Sequence, residues 1–176
     1  MTLSTDLRYP VGRFSAPASK TYADFTAAID VLRQLPRLLT AAVDGLDDSQ
    51  LDTPYRDGGW TVRQVVHHLA DSHLNSYIRF KLALTENWPT IKAYDQEAWA
   101  NLPDSKMPVQ VSLDLATAVH ARWVALLESM TEEQFELGFT HPIYGSMTLA
   151  HALAMYDWHS RHHVGHINGL RSRMGW

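Results

Sequence analysis

The chain contains no cysteine. Disulfides, thiolate-ligated zinc and cysteine nucleophiles are thereby excluded, and a transition-metal site has only His, Asp and Glu to draw on. There is no apolar stretch long enough to span a membrane. There is no basic stripe either. Fifteen Lys and Arg stand against 19 Asp and Glu, a formal net charge of −4, so nucleic acid is not an expected partner. The segment Met1–Asp6 lacks a basic patch followed by an apolar run; no signal peptide is expected, and the cytoplasm is the default location. Three catalytic signatures are missing as well. No glutamate is followed by His at the Glu-x-x-His spacing of dinuclear carboxylate bundles, and neither His-Glu-x-x-His nor Gly-x-Ser-x-Gly occurs.

What is present is an ordinary globular composition, 45% hydrophobic and 19% charged over 176 residues, enough for one domain with its own core. Against that background ten histidines is a high count, and His159, His162, His163 and His166 fall within eight residues.

Residues 1–20, with Pro10, Gly12 and Pro17, show no period and are expected as an extended arm preceding a single domain over 21–176. From Tyr22 to Val43 apolar residues recur at three and four positions, which predicts a helix with a kink or break at Pro36. Thr61 and Gln64 have the spacing of a capping box and open a second helix reaching about Leu84. Residues 87–110, with three prolines, are expected as a long crossover holding a short helix near Asp95–Asn101. A third helix is predicted from about Ser112 to Met130, a short turn after the second capping pattern of Thr131 and Gln134, a loop over 141–145, and a last helix from about Thr148 to Arg173. No alternation typical of strands is sustained. The expected fold is all-α, a four-helix bundle with a long crossover.

On the last helix His159 and His163 are i and i+4, so their imidazoles project from adjacent turns and can meet one ion. A third ligand has to come from another helix. The second helix offers His67, which points away from its apolar stripe, His68, which borders it, and His73, which lies within it. Spacing favours His68 and His73 equally. Asp71 and Asp157 are candidates to orient a ligand imidazole through its second nitrogen. Ser72, Asn75 and Arg79 extend the His68 stripe and are candidates to line a pocket for an anionic or amide-bearing substrate, and His166 is a candidate general base.

The segments from Asp57 to His73 and from Trp158 to Ile167 closely resemble the DinB-like superfamily and, within it, the YfiT group of metal-dependent hydrolases; the likeness extends to Tyr9–Gly12 and Pro89–Lys92. The resemblance implies a DinB-like four-helix bundle that forms homodimers and holds one divalent metal, zinc or nickel, on three histidines. It places the first ligand eight residues after Trp60, at His68, and the other two at His159 and His163. Relatives also join low-molecular-weight thiols to electrophiles. Three neutral imidazoles would leave an ion with its charge and an open position, able to lower the pKa of water to about 7 or to deprotonate a thiol. The expected partner is therefore a small-molecule substrate, with either water or a cellular thiol as nucleophile.

Overall fold

Thr21, Asp47, Thr61 and Thr148 each stand one residue ahead of a helix, and each side chain accepts a hydrogen bond from that helix's first turn. For Thr21, Asp47 and Thr61 the third helical residue reaches back to complete a capping box. In the computed structural model, which describes residues 6–16 and 21–176, the helices are α1 (Tyr22–Val43), α2 (Asp48–Leu51), α3 (Val62–Thr85), α4 (Gln96–Ala100), α5 (Val109–Glu128) and α6 (Leu149–Met174). The expected arm is thus described only for 6–16. The four long helices fall where the periodicity places them, and α4 lies in the expected crossover.

One part of the all-helical expectation needs correction. Gly138–His141 (β1) and Gly145–Thr148 (β2) pair antiparallel, with Phe139 opposite Met147 and Thr140 opposite Ser146. Four-residue strands are too short to display a sustained alternation. Gly145 supplies its turn at φ +77°, and Gly138 lies so close to the Met147 carbonyl and the Trp88 ring that a Cβ would collide with both. The crossover is tied to this hairpin through Ile91 N–H to the Thr140 carbonyl and Thr140 N–H to the Pro89 carbonyl.

α1 packs against α5 and α6, and α3 also packs against α5 and α6. Of the consecutive long helices, α1 and α3 therefore lie across one diagonal of the bundle and α5 and α6 across the other, while α3 and α5 are neighbours. The apolar core comes in two clusters. One surrounds Leu32, Phe80, Trp123 and Leu153, and the other surrounds Leu39, Val65, Leu69 and Ile167. Buried polar residues separate them in sequence on α3 (Ser72, His73 and Ser76) and on α6 (Ser160 and His163), with His120 of α5 facing this layer, whereas α1 passes directly from Leu32 to Leu35.

Pro36 is expected to kink or break its helix; α1 runs through it without a break. Proline removes the N–H that would bond the carbonyl four residues back, that of Leu32. His120 on α5 fills the gap, its Nδ1 lying 2.6 Å from the Leu32 oxygen.

Residues 6–16 lie along α6. Trp158 Nε1–H donates to the Gly12 carbonyl at 3.0 Å, and Pro10 packs so tightly on Gly165 that a Cβ there would stand 3.1 Å from the proline ring.

Candidate metal centre

The one-turn offset of His159 and His163 on α6 brings their ring centroids to 4.5 Å, and His68 faces them from α3 at 5.3 and 4.9 Å. One nitrogen from each of the three lies within 4.8 Å of the others, with His68 Nε2 and His159 Nε2 at 3.3 Å. Two imidazole nitrogens on a tetrahedral ion, each about 2.0–2.1 Å from it, stand roughly 3.3 Å apart. Burial holds all three rings neutral. It pushes His68 down to about 4, with nearby His162 adding to the effect. It also lowers His159 and His163 well below the usual imidazole range, helped by the neighbouring histidines. Neutral imidazole is the form that can donate to a metal.

Proton positions behind His159 follow from hydrogen-bond chemistry. A carbonyl can only accept, so His120 Nδ1 carries the proton it shares with Leu32. Burial pushes His120 down to about 4, so it is neutral and its Nε2 is a lone pair. His73 Nδ1, 2.9 Å away, must then donate to it, which leaves His73 Nε2 to accept from His159 Nδ1–H at 3.1 Å. His73 is fully buried and neutral, its pKa depressed by burial and then by His120 and His159. The relay ends with a lone pair on His159 Nε2, directed at His68 Nε2 3.3 Å away. An ordered chain from α1 through α5 and α3 thus selects the tautomer of His159 that a metal requires.

His73, tied with His68 on spacing, accordingly sits behind the three-histidine group. Asp157 does not orient a ligand imidazole; it is held by Arg161 at 2.8 and 3.0 Å. Asp71 is half-buried, its carboxyl raised to about 6 by desolvation, with Asp104 adding to the effect; it makes no contact with an imidazole. The second-nitrogen partner is instead a histidine. His120 was missed in the sequence, and the signal that could have found it was Pro36, which leaves a buried carbonyl in need of a donor. His67 is buried rather than turned to solvent, because the crossover folds over it. Its Nε2–H donates to the Met107 carbonyl at 3.0 Å and its Nδ1 accepts from Ser112 Oγ at 2.7 Å.

On the other side of α6, His162, His163 and His166 form a second group whose ligand atoms lie within 4.8 Å of one another. The buried Nδ1 of each lacks a hydrogen-bond partner. His166 donates from Nε2 to the Arg8 carbonyl at 3.2 Å and stacks on Tyr55 at 3.9 Å. It is lowered to about 3 by burial first and His162 second, with Arg56 and Arg173 adding positive charge nearby. Those guanidinium groups oppose a second cation, and all three histidines here come from one helix. The orphaned His163 Nδ1 therefore fits the first group better, as a buried nitrogen of a ring that also faces His68 and His159.

Two cavities flank the three-histidine group. One, of about 550 Å³, is lined by His68, His159, His163, Trp60 and the arm residues Arg8 and Tyr9. The other, of about 680 Å³, is lined by His159, Ser72, Tyr156, Tyr94, His141 and Arg79. Ser72 Oγ is 3.3 Å from Tyr156 Oη, which itself donates to the Ser72 carbonyl at 3.1 Å. Asn75 donates to the Asp71 carbonyl one turn back at 2.9 Å.

A model of the DinB superfamily matches residues 31–167. Over 171 residues the chain is 56% identical to a Bacillus cereus (strain AH820) protein named "Putative metal-dependent hydrolase", covering 97% of this chain and 99% of that one. A Bacillus anthracis protein of the same name matches to the same extent. The structure of YfiT from Bacillus subtilis, described as "a probable metal-dependent hydrolase with an unusual four-helix bundle topology", aligns at a TM-score of 0.94 and 53% identity over 97% of this chain and 98% of that one. TT2238, a four-helix bundle protein, aligns at a TM-score of 0.55 and 20% identity over 86% of this chain and 99% of that one, and shares the fold.

Proposed function

Because the chain belongs to the DinB superfamily, we propose that it is a metal-dependent hydrolase whose single divalent ion is held by His68, His159 and His163. The observation that carries this reading is the directed lone pair on His159 Nε2, 3.3 Å from His68 Nε2, among rings that burial keeps neutral. An all-imidazole donor set suits zinc or nickel. When bound, such an ion supplies an electrophile that makes water a competent nucleophile near neutral pH.

The chain's own groups then have separate tasks. His73 and His120 hold His159 in one tautomer. Trp60, tilted on His68 at 4.6 Å and tied through Nε1–H to Glu97 Oε2 at 3.0 Å, walls the group off on the α4 side. In hydrolysis water adds to an ester or amide carbonyl, the bond to the leaving group breaks, and the leaving oxygen or nitrogen takes a proton.

The test is metal analysis of the purified protein beside His68→Ala, His159→Ala and His163→Ala, followed by ester and amide turnover. We expect one metal per wild-type chain, at least 100-fold weaker retention in each variant, and turnover that a chelator abolishes and zinc or nickel restores. No retained metal after reconstitution would overturn the assignment. A parallel assay with a cellular thiol and a model electrophile separates thiol transfer from hydrolysis.

A further inference from the structure

Arg79 is buried in α3, two turns beyond Ser72. A guanidinium carries five N–H donors and keeps its charge at any working pH. Among the described residues the one side-chain hydrogen bond Arg79 makes is from Nη2 to the Lys92 carbonyl, stretched to 3.4 Å, with the guanidinium 5.9 Å from the centroid of the Tyr94 ring. Among the described residues no carboxylate lies within ion-pair distance of it. The other buried arginine of α3 shows the contrast. Arg63 is met by Asp48 at 2.8 Å and Asp52 at 2.6 Å, and donates to the Met107 carbonyl besides. A buried charge without a counter-ion is costly, so one is retained where a partner arrives from outside.

The cavity that Arg79 lines is the one that also reaches His159, and about 680 Å³ is ample for a small organic molecule. His141 on its wall is held below its usual pKa by burial, and by Arg79 after that, so Arg79 is the cation there. Asp95 and Glu97 stand at the exposed mouth. Asp95 Oδ1 accepts from the backbone N–H of Glu97 and Ala98, and Glu97 Oε2 accepts from Trp60. Two carboxylates at the entrance against one guanidinium inside disfavour a dianion such as phosphate and suit a monoanion. A carboxylate matches the planar fork of the guanidinium with two parallel bonds.

We propose that this cavity takes a small carboxylate-bearing substrate, its carboxylate anchored on Arg79 and its hydrolysable bond presented at the His159 edge. The second half rests on the metal-dependent hydrolase reading; the carboxylate anchor does not.

Two measurements keep the two apart. In the metal-free protein, titration with propionate or benzoate should shift the Arg79 side-chain NMR signals saturably, and Arg79→Gln should abolish the binding. In the zinc-loaded protein, the monomethyl ester of a short dicarboxylic acid should be hydrolysed with a kcat/KM about 10- to 100-fold above that of the dimethyl ester, chiefly through KM. That preference should fall to near parity in Arg79→Gln and partly return in Arg79→Lys. Arg79→Met should match or exceed the wild-type Tm while losing the preference, which a structural role would not allow. Metal retained with no carboxylate binding, or with phosphate bound in its place, overturns the anchor and leaves the hydrolase reading standing. Carboxylate binding without metal retention does the reverse.

Discussion

The two flanks of the His159–His163 pair use the same side chain in opposite ways. On the inner flank both nitrogens of His73 and of His120 are paired, and the terminal carbonyl of Leu32 fixes which atom carries each proton. On the outer flank His162 and His166 each keep a buried Nδ1 without a partner, as does His163 of the central pair itself. Buried polar atoms are normally satisfied, so the contrast separates a rigid positioning device from a side where donor capacity is held open. It also accounts for the N-terminal arm. Residues 6–16 cover the outer flank through Gly12, Arg8 and Tyr9, while the inner flank is sealed by the bundle itself.

The sharpest way to break this comparison is a pair of substitutions, His73→Phe and His162→Phe, read by metal competition against a chelator. Loss of the group that orients a ligand histidine typically weakens metal binding about 10- to 100-fold. We expect that loss for His73→Phe and less than about threefold for His162→Phe. Equal losses would mean that the two flanks do not differ in function.

Acid comes next in size. His120 and His68 have pKa values depressed to about 4 by burial, and His73 is depressed further in the same direction. The unfolded chain therefore binds more protons than the folded one between about pH 6.5 and 4. Stability of the metal-free protein should be fully present above about pH 6.5 and fall as the pH drops, by up to about 1.4 kcal/mol per pH unit for each such histidine. Denaturant midpoints that stay flat over this window would show that the layer is not neutral and buried.

Pro36→Ala should have the smallest effect. The new N–H competes with His120 for the Leu32 carbonyl, which has a second lone pair to offer. Tm should hold or rise slightly, and metal affinity should fall less than about threefold. A tenfold loss would show that His120 lets go of the carbonyl and that the chain needs it exclusively.

Much of this was legible in the sequence. The Thr61 capping box and the apolar spacing placed the long helices, and the i,i+4 pair together with the resemblance singled out the three histidines that the structure brings together. What the pattern on one helix cannot show is which helix lies opposite. Direct packing of α5 on α3 lets His73 meet His120, and the orientation role for which Asp157 was a candidate passes to an imidazole 86 residues away from His159. Arg79 and His67 illustrate the same limit: the wheel gives a direction, whereas burial comes from a crossover 40 residues further on in the case of His67.

The layer of polar side chains that divides the apolar core has a consequence for motion. Regions joined mainly by polar contacts can open separately, as sub-global units with their own exchange free energies. In the metal-free protein the end of the bundle around Leu39, Val65 and Ile167 should then exchange its amides apart from the end around Phe80 and Trp123. An ion on His68, His159 and His163 would clamp α3 to α6 at the boundary and fuse the two units into one.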